Sequence, residues 1–405
     1  MKKEAILYEK WPKEWLVRCL ACNHFCIIPE WRTWICGIRK NENWKLYLLT
    51  WWKALWLNVD PIEKKPLFHV VPSSKAFSFW TAWCNFHCWF CQNWRMSQVK
   101  EKIDGIDDKN TPYLYVDNLD KIWTDLFPEQ AYATAKYYKC DSLAYTYNEP
   151  TVFVEYAYDC AKLTRSDKTA DKIKNSDKKN WVIEADLLNV FVSNWYESKQ
   201  LWDLMDWYLD AINIDLKGFS EEFYKEVLWW KLQPVLDNIK EIYNNRNIFL
   251  EITTLIIPGE NDSEEELRKI VDFIKSVSVD IPWHISAFHP DWKMIDKPYT
   301  PLETLEKAYK IGKEAWLRYI YIWNVSVPEY ETTYCPNCWK KLIERSGIVW
   351  QNVVDHTHWT WVCSCWTKIP GIWKKENGVY EVRKETITSK WTVNSEQYDQ
   401  DLTGL

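Results

Sequence analysis

Cys84-Asn-Phe-His-Cys88-Trp-Phe-Cys91 places three thiols at a three-then-two spacing with no fourth cysteine nearby. A [4Fe-4S] cube normally takes four cysteine thiolates. A loop that supplies three leaves one iron without a protein ligand and open to a small molecule, so the spacing points to a reaction site. The competing use of close cysteines is zinc, which asks for four ligands, as a rule from paired C-x2-C knuckles.

Two further thiol sets stand apart from this loop. Cys335-Pro-Asn-Cys338 and Cys363-Ser-Cys365 read as the halves of a zinc ribbon, a closed tetrahedral site. The second half is one residue short of the usual knuckle, which brings in His356 or His358 as substitute ligands and keeps a second cluster open as the alternative. Near the N-terminus, Cys19-x2-Cys22-x3-Cys26 with Cys36 offers four thiols for zinc or an auxiliary iron-sulfur cluster. Cys140 and Cys160 lack partners at ligand spacing and read as buried apolar thiols. An odd total of 13 cysteines grouped in this way fits reduced thiols and metals better than a disulfide framework.

Such loops need a frame. From about residue 66 to 330, short apolar runs alternate with helical patterns, the signature of β-α units around a parallel sheet. Strands are expected at 76–79, 142–147, 188–193, 211–215, 248–254, 281–288 and 319–323. Helices are expected at 151–163 and at 263–277, the latter capped by Asp262 or Ser263 with three glutamates in its first turn. In parallel β/α barrels the working residues collect where strands end. Asn148-Glu149-Pro150, Ser193-Asn194, Asp215-Leu216-Lys217 and Phe288-His289-Pro290 all stand at such ends. Asp215 and Lys217, two apart on an extended chain, point to one side and together would address a zwitterion, or else pair with each other at the surface. Glu251 and Thr253 share a strand face, and His284 is a further candidate.

The C-x3-C-x2-C pattern with aromatic Phe90 before its last cysteine resembles the radical S-adenosylmethionine (radical SAM) superfamily. Cys91-Gln-Asn-Trp94, Tyr147-Asn-Glu-Pro150, Asp215-Leu-Lys217 and Pro282-Trp-His-Ile-Ser286 extend the likeness over residues 1 to about 372. Together they resemble the radical SAM member of the AmmeMemoRadiSam system, related to pyruvate formate-lyase activating enzyme. The resemblance implies an α/β fold with a partial (β/α)6-type barrel over 66–330, flanked by a Cys-rich segment (1–65), a zinc-ribbon-like module (331–372) and a polar tail (373–405). It implies a [4Fe-4S] cluster on Cys84, Cys88 and Cys91, chelated at its unique iron by S-adenosylmethionine (SAM). An electron from a flavodoxin- or ferredoxin-type protein would then release a 5'-deoxyadenosyl radical, which abstracts hydrogen from a protein or small-molecule substrate. Glu149, with Asn148, would meet the SAM amino group, although only the Glu-Pro half of the usual Gly-Gly-Glu-Pro is present. Asn194, Asp215 and Lys217 complete the expected cofactor-binding set, and His289 would reach the ribose. A glycyl-radical-enzyme activase and a non-catalytic Fe-S/zinc redox scaffold are the alternatives.

Bulk properties narrow the field. A net charge of -6 with 27% charged residues argues against a nucleic-acid partner held through phosphates. No apolar run approaches the roughly 18 residues of a membrane span, and the Met-Lys-Lys-Glu start lacks an apolar signal segment, so a cytoplasmic location is expected. The chain holds 30 Trp and only 9 Gly, where about 28 Gly are expected at roughly 7% usage. Many Trp stand where backbone physics asks for glycine, as at Trp195 after a strand, at Trp229-Trp230, and at Trp339 and Trp366 just after paired cysteines. These positions are expected to be glycines in the protein, as they would be if the source reads a UGA codon as glycine and the sequence carries Trp in its place.

Overall fold

The computed structural model describes residues 2–13, 15–98, 123–165, 178–325, 327–347 and 352–388. At its centre an eight-stranded sheet runs in space in the order of the chain: β1 (Trp56–Pro61), β2 (Lys75–Trp80), β3 (Ser142–Tyr145), β4 (Leu188–Ser193), β5 (Ala211–Asp215), β6 (Phe249–Ile256), β7 (Trp283–Ala287) and β8 (Ile320–Trp323). β2 to β8 are parallel throughout, and β1 closes one edge antiparallel to β2. β3, β7 and β8 are buried at every residue, as expected for strands covered on both faces. All seven strands expected from the sequence are present. β1 is the addition, recruited from a stretch that composition alone assigns to the leader.

Helices cover the sheet between strands: α1 (Pro128–Tyr137), α2 (Val154–Leu163), α3 (Lys199–Met205), α4 (Gln233–Asn245), α5 (Glu264–Val277) and α6 (Leu302–Glu314). The cap of α5 is Ser263, whose Oγ accepts from the Glu266 amide at 3.2 Å, and Glu264, Glu265 and Glu266 fill its first turn against the helix dipole. At the other end of α4 the buried Lys384 ammonium donates to the carbonyls of Ile242, Tyr243 and Arg246, supplying the partners that a helix C-terminus lacks.

Two small antiparallel sheets made by the first 48 residues are not a separate unit. Val17, Ile28 and Leu46 are buried in one core with Phe79, Phe153 and Tyr156. A fully buried ion pair, Arg39 to Glu155 of α2 at 2.5 Å, ties the two together.

The C-terminal stretch departs from expectation. In place of a polar tail from 373, strands Gly371–Lys374 and Val379–Arg383 form a hairpin that pairs with Asn180–Glu184. Its Ile372, Tyr380 and Val382 are buried with Ala76, Ala211 and Phe249 at the N-terminal ends of the barrel strands, where they act as a plug. The alternation of these apolar residues with charged ones is what makes the segment look like tail in sequence. Of the expected surface insertion at 164–180, residues 166–177 lie outside the described residues. The ribbon-like module is a three-stranded antiparallel sheet, Thr333–Tyr334, Lys341–Ser346 and Asn352–Asp355. Among the described residues no helix is long and apolar enough to cross a membrane.

Thirteen of the 30 tryptophans hold φ in the left-handed region, including Trp195 (70°), Trp229 (69°), Trp339 (59°) and Trp366 (67°). Trp94 and Trp283, by contrast, sit in a helical turn and in β7.

Candidate functional site

The cysteine loop leaves the C-terminal end of β2, and the ends of β3, β4 and β5 deliver side chains to it. Asn148, after β3, spends its whole amide on the loop entrance: Nδ2 donates to the carbonyl of Trp83 at 2.7 Å and lies near that of Ala82, while Oδ1 accepts from the Thr81 amide. Asn194, after β4, donates through Nδ2 to Asn85 Oδ1 at 2.7 Å and to Cys84 Sγ at 3.6 Å. Its Oδ1 is buried without a protein partner, as is Asn85 Nδ2. Cys91 Sγ meets Ser97 Oγ at 3.2 Å.

Burial raises the pKa of all three loop thiols. For Cys84 the anionic character of Glu149, Cys88 and Cys91 adds to burial. Cys88 is pushed up to about 12 by burial, with the Lys217 ammonium pulling the other way. For Cys91 the Ser97 hydroxyl opposes burial. Thiols so placed hold their protons until a metal takes the thiolates and releases them.

Asp215, at the end of β5, and Lys217 form an ion pair at 2.8 Å, and the Lys217 ammonium also lies 5.6 Å from the centre of the Phe90 ring. Asn261, from the turn after β6, donates to the Lys217 carbonyl and so braces this corner. Two residues of the loop after β7 reach the cysteine loop and its exit: the Lys293 amide donates to the Trp89 carbonyl at 3.0 Å, and Asp291 accepts from Trp94 Nε1 at 2.9 Å. His289 is half-buried near Tyr299, its Nδ1 3.5 Å from the carbonyl of Pro290.

Glu149 caps the short turn Pro150–Phe153 and is gripped by donors: Thr151 N and Oγ1, Asn194 N at 2.8 Å and Ser193 Oγ. Ser193 Oγ lies as close as 3.0 Å to Glu149 and 2.6 Å from Glu197. One hydroxyl proton cannot serve two carboxylates at once, so the two acids crowd a single donor. Burial raises the pKa of both, that of Glu197 strongly, with Glu149 adding to it. Glu197 could not be found in sequence, because nothing in its spacing marks it.

Glu251 and His284 belong elsewhere. Near the N-terminal ends of β6 and β7, Glu251 accepts from the amides of Phe68 and His69, and from His284 Nε2 at 2.6 Å. Trp323 Nε1 donates to His284 Nδ1, which fixes the neutral tautomer. This is a buried structural network, not part of the cysteine-loop face.

The sulfurs of Cys335, Cys338, Cys363 and Cys365 all lie within 4.8 Å of one another, and they are the only set of three or more metal-ligating groups gathered so tightly among the described residues. Neither histidine substitutes in it; His356 Nε2 meets Glu344 at 2.6 Å instead. The short second knuckle therefore closes on thiols alone. Cys19, Cys22, Cys26 and Cys36 line a common pocket.

The sequence pattern of the radical SAM superfamily matches residues 78–274. An uncharacterized protein of Methanocaldococcus jannaschii is 38% identical over 344 residues, covering 85% of this chain and 91% of that one. Among solved structures, a domain of pyruvate-formate lyase-activating enzyme from Bacteroides vulgatus is 16% identical, with 34% of this chain and 81% of that one covered and a TM-score of 0.30. A radical SAM methyltransferase from Sphaerobacter thermophilus is 9% identical, with 62% and 66% covered and a TM-score of 0.41. Streptococcus suis SuiB bound to S-adenosylmethionine is 12% identical, with 64% and 52% covered and a TM-score of 0.39.

Proposed function

Because the chain belongs to the radical SAM superfamily, we propose that Cys84, Cys88 and Cys91 hold a [4Fe-4S] cluster whose fourth iron binds SAM, and that the enzyme abstracts hydrogen from a protein or small-molecule substrate. When bound, the cluster supplies the electron that splits SAM into methionine and a 5'-deoxyadenosyl radical. The donor set fits: three thiols and no fourth, Cys88 buried and Cys84 and Cys91 part-buried, with the unpartnered Asn194 Oδ1 beside Cys84.

The protein's own work is positioning. Asp215 and Lys217 are partly accessible, at 34% and 12% exposure. A zwitterion entering between them replaces their mutual pair, its ammonium on Asp215 and its carboxylate on Lys217. Asn194 offers its amide oxygen to a donor on the same ligand. Glu149 and Asn148 act as positioning residues, one holding the Asn194 backbone and the other the loop entrance. His289 is left for the ribose, at the rim.

The convergence of side chains from the ends of β3, β4 and β5 on one three-cysteine loop supports this function most. The test is anaerobic reconstitution with iron and sulfide, then reduction in the presence of SAM. The enzyme should form 5'-deoxyadenosine and methionine, and Cys84→Ala, Cys88→Ala and Cys91→Ala should each abolish both. Asn194→Ala should weaken SAM binding about tenfold, the equivalent of one hydrogen bond of about 1.4 kcal/mol. Absence of 5'-deoxyadenosine from the reconstituted wild type, or its persistence in all three cysteine variants, overturns the proposal.

A further inference from the structure

The structure's three thiol sets differ in spread, and the spread sorts them. A tetrahedral zinc ion with bonds of about 2.3 Å holds its sulfurs about 3.8 Å apart. The C-terminal four meet that condition, with sulfurs 3.4 Å apart in one pair and 3.6 Å in another. Among the described residues, no three of Cys19, Cys22, Cys26 and Cys36 come within 4.8 Å of one another, and neither do Cys84, Cys88 and Cys91. Thiolates that bind different corners of a cube must stand farther apart than ligands of one ion. The N-terminal set shares this open spacing, and its four thiols line a single pocket.

The pocket abuts the cysteine loop. Asn85, the residue after Cys84, lines it. His24 Nε2 lies 3.1 Å from the Asn85 carbonyl, and Asn194 links Asn85 Oδ1 to Cys84 Sγ. The N-terminal segment is clamped there by backbone, with Cys22 bridged to Glu197 and the Asn23 amide bonded to the Tyr196 carbonyl at 2.8 Å. Arg39 also lines the pocket, and its buried Nε has no protein partner, leaving a donor for an anionic guest.

We propose that Cys19, Cys22, Cys26 and Cys36 ligate a second [4Fe-4S] cluster that relays electrons to the cluster on Cys84, Cys88 and Cys91. With four thiolates it has no open iron, so SAM cannot bind there and only electron transfer is left to it. One electron passes from a reduced flavodoxin- or ferredoxin-type donor to the second cluster, and from there to the first. There it enters the sulfonium and breaks the C5'–S bond. The relay rests on the function proposed above for the Cys84 loop; the presence of the cluster does not.

The test uses the full chain in two forms. In Cys84→Ala/Cys88→Ala/Cys91→Ala, reconstituted anaerobically, about four iron ions per chain should remain, with the Mössbauer signature of a [4Fe-4S] cube. Zinc in place of iron, or no retained iron in a protein whose circular dichroism is unchanged, overturns the site. In Cys22→Ala/Cys26→Ala the electron paramagnetic resonance signal that responds to SAM should persist. The ratio of flavodoxin-driven to dithionite-driven 5'-deoxyadenosine formation should fall at least tenfold, and an unchanged ratio overturns the relay. Cys36→Ser gives the same comparison should the double variant fold poorly. A wild type without 5'-deoxyadenosine, beside a triple variant that keeps its iron, would instead refute the function assigned to the Cys84 loop.

Discussion

A side chain held in the left-handed region of backbone space costs about 1–2 kcal/mol for any L-residue, and glycine alone escapes it. Bulky aromatics have no reason to collect there. Yet Trp339 and Trp366 take that conformation at the matching turn of each knuckle, and Trp195 takes it just after β4. The coding DNA should carry UGA at Trp195, Trp339 and Trp366, and UGG at Trp94 and Trp283. UGG throughout would refute the reassigned codon. A protein-level measurement is independent of the gene: Trp366, 73% exposed, has little buried surface to lose, so Trp366→Gly should raise the unfolding free energy by about 1 kcal/mol. A neutral or destabilising outcome would mean that the tryptophan packs usefully there.

The parallel strands were legible because burial on both faces writes them as apolar runs, and the Cys84 loop because its spacing is itself the chemistry. What escaped are contacts that only folding creates. Glu197, Asn261 and Asp291 reach the site from three different connections. The pairing of Asn180–Glu184 with Val379–Arg383 spans half the chain, and no local pattern encodes it. Glu251 was visible on its strand, but its end of the barrel was not. Burial pushes its carboxyl up to about 7, against the donors from His69 and Phe68. A carboxyl raised in the folded state contributes stability that is present below about pH 4.5 and lost as pH rises through about 7, in all about 3 kcal/mol. Urea unfolding should therefore show wild type losing about that much more than Glu251→Gln between pH 4.5 and 8. Parallel pH profiles would mean that the donors already hold Glu251 ionised.

At the scale of the whole molecule, residues 3–48 and 333–383 serve opposite ends of the barrel. The N-terminal cysteines sit against the Cys84 loop, while the ribbon-like module and the last hairpin lie at the far side. Phe68, Tyr319, Tyr321 and Trp373 are buried with Cys335 and Cys363 in one apolar cluster. We expect one zinc per chain on Cys335, Cys338, Cys363 and Cys365, and expect its removal to act on stability rather than chemistry. Cys338→Ser/Cys365→Ser should lose the zinc and lower Tm while the iron content and 5'-deoxyadenosine formation persist below that temperature. Loss of cluster iron in this variant would show that the two metals had been assigned to the wrong sets. Truncation before Thr333 is the poorer experiment, because it also strips the barrel of its plug.

The plug sets a clock on biosynthesis. Glu184 leaves the ribosome about 200 residues before Val379, its partner in the closing sheet, a delay of about 10–40 s at ordinary elongation rates. During that interval the floor of the barrel is open, and α4 lacks the Lys384 ammonium at its C-terminus. A chain stopped short of Lys384 would therefore leave Ala76, Ala211 and Phe249 uncovered and the C-terminus of α4 without its cation.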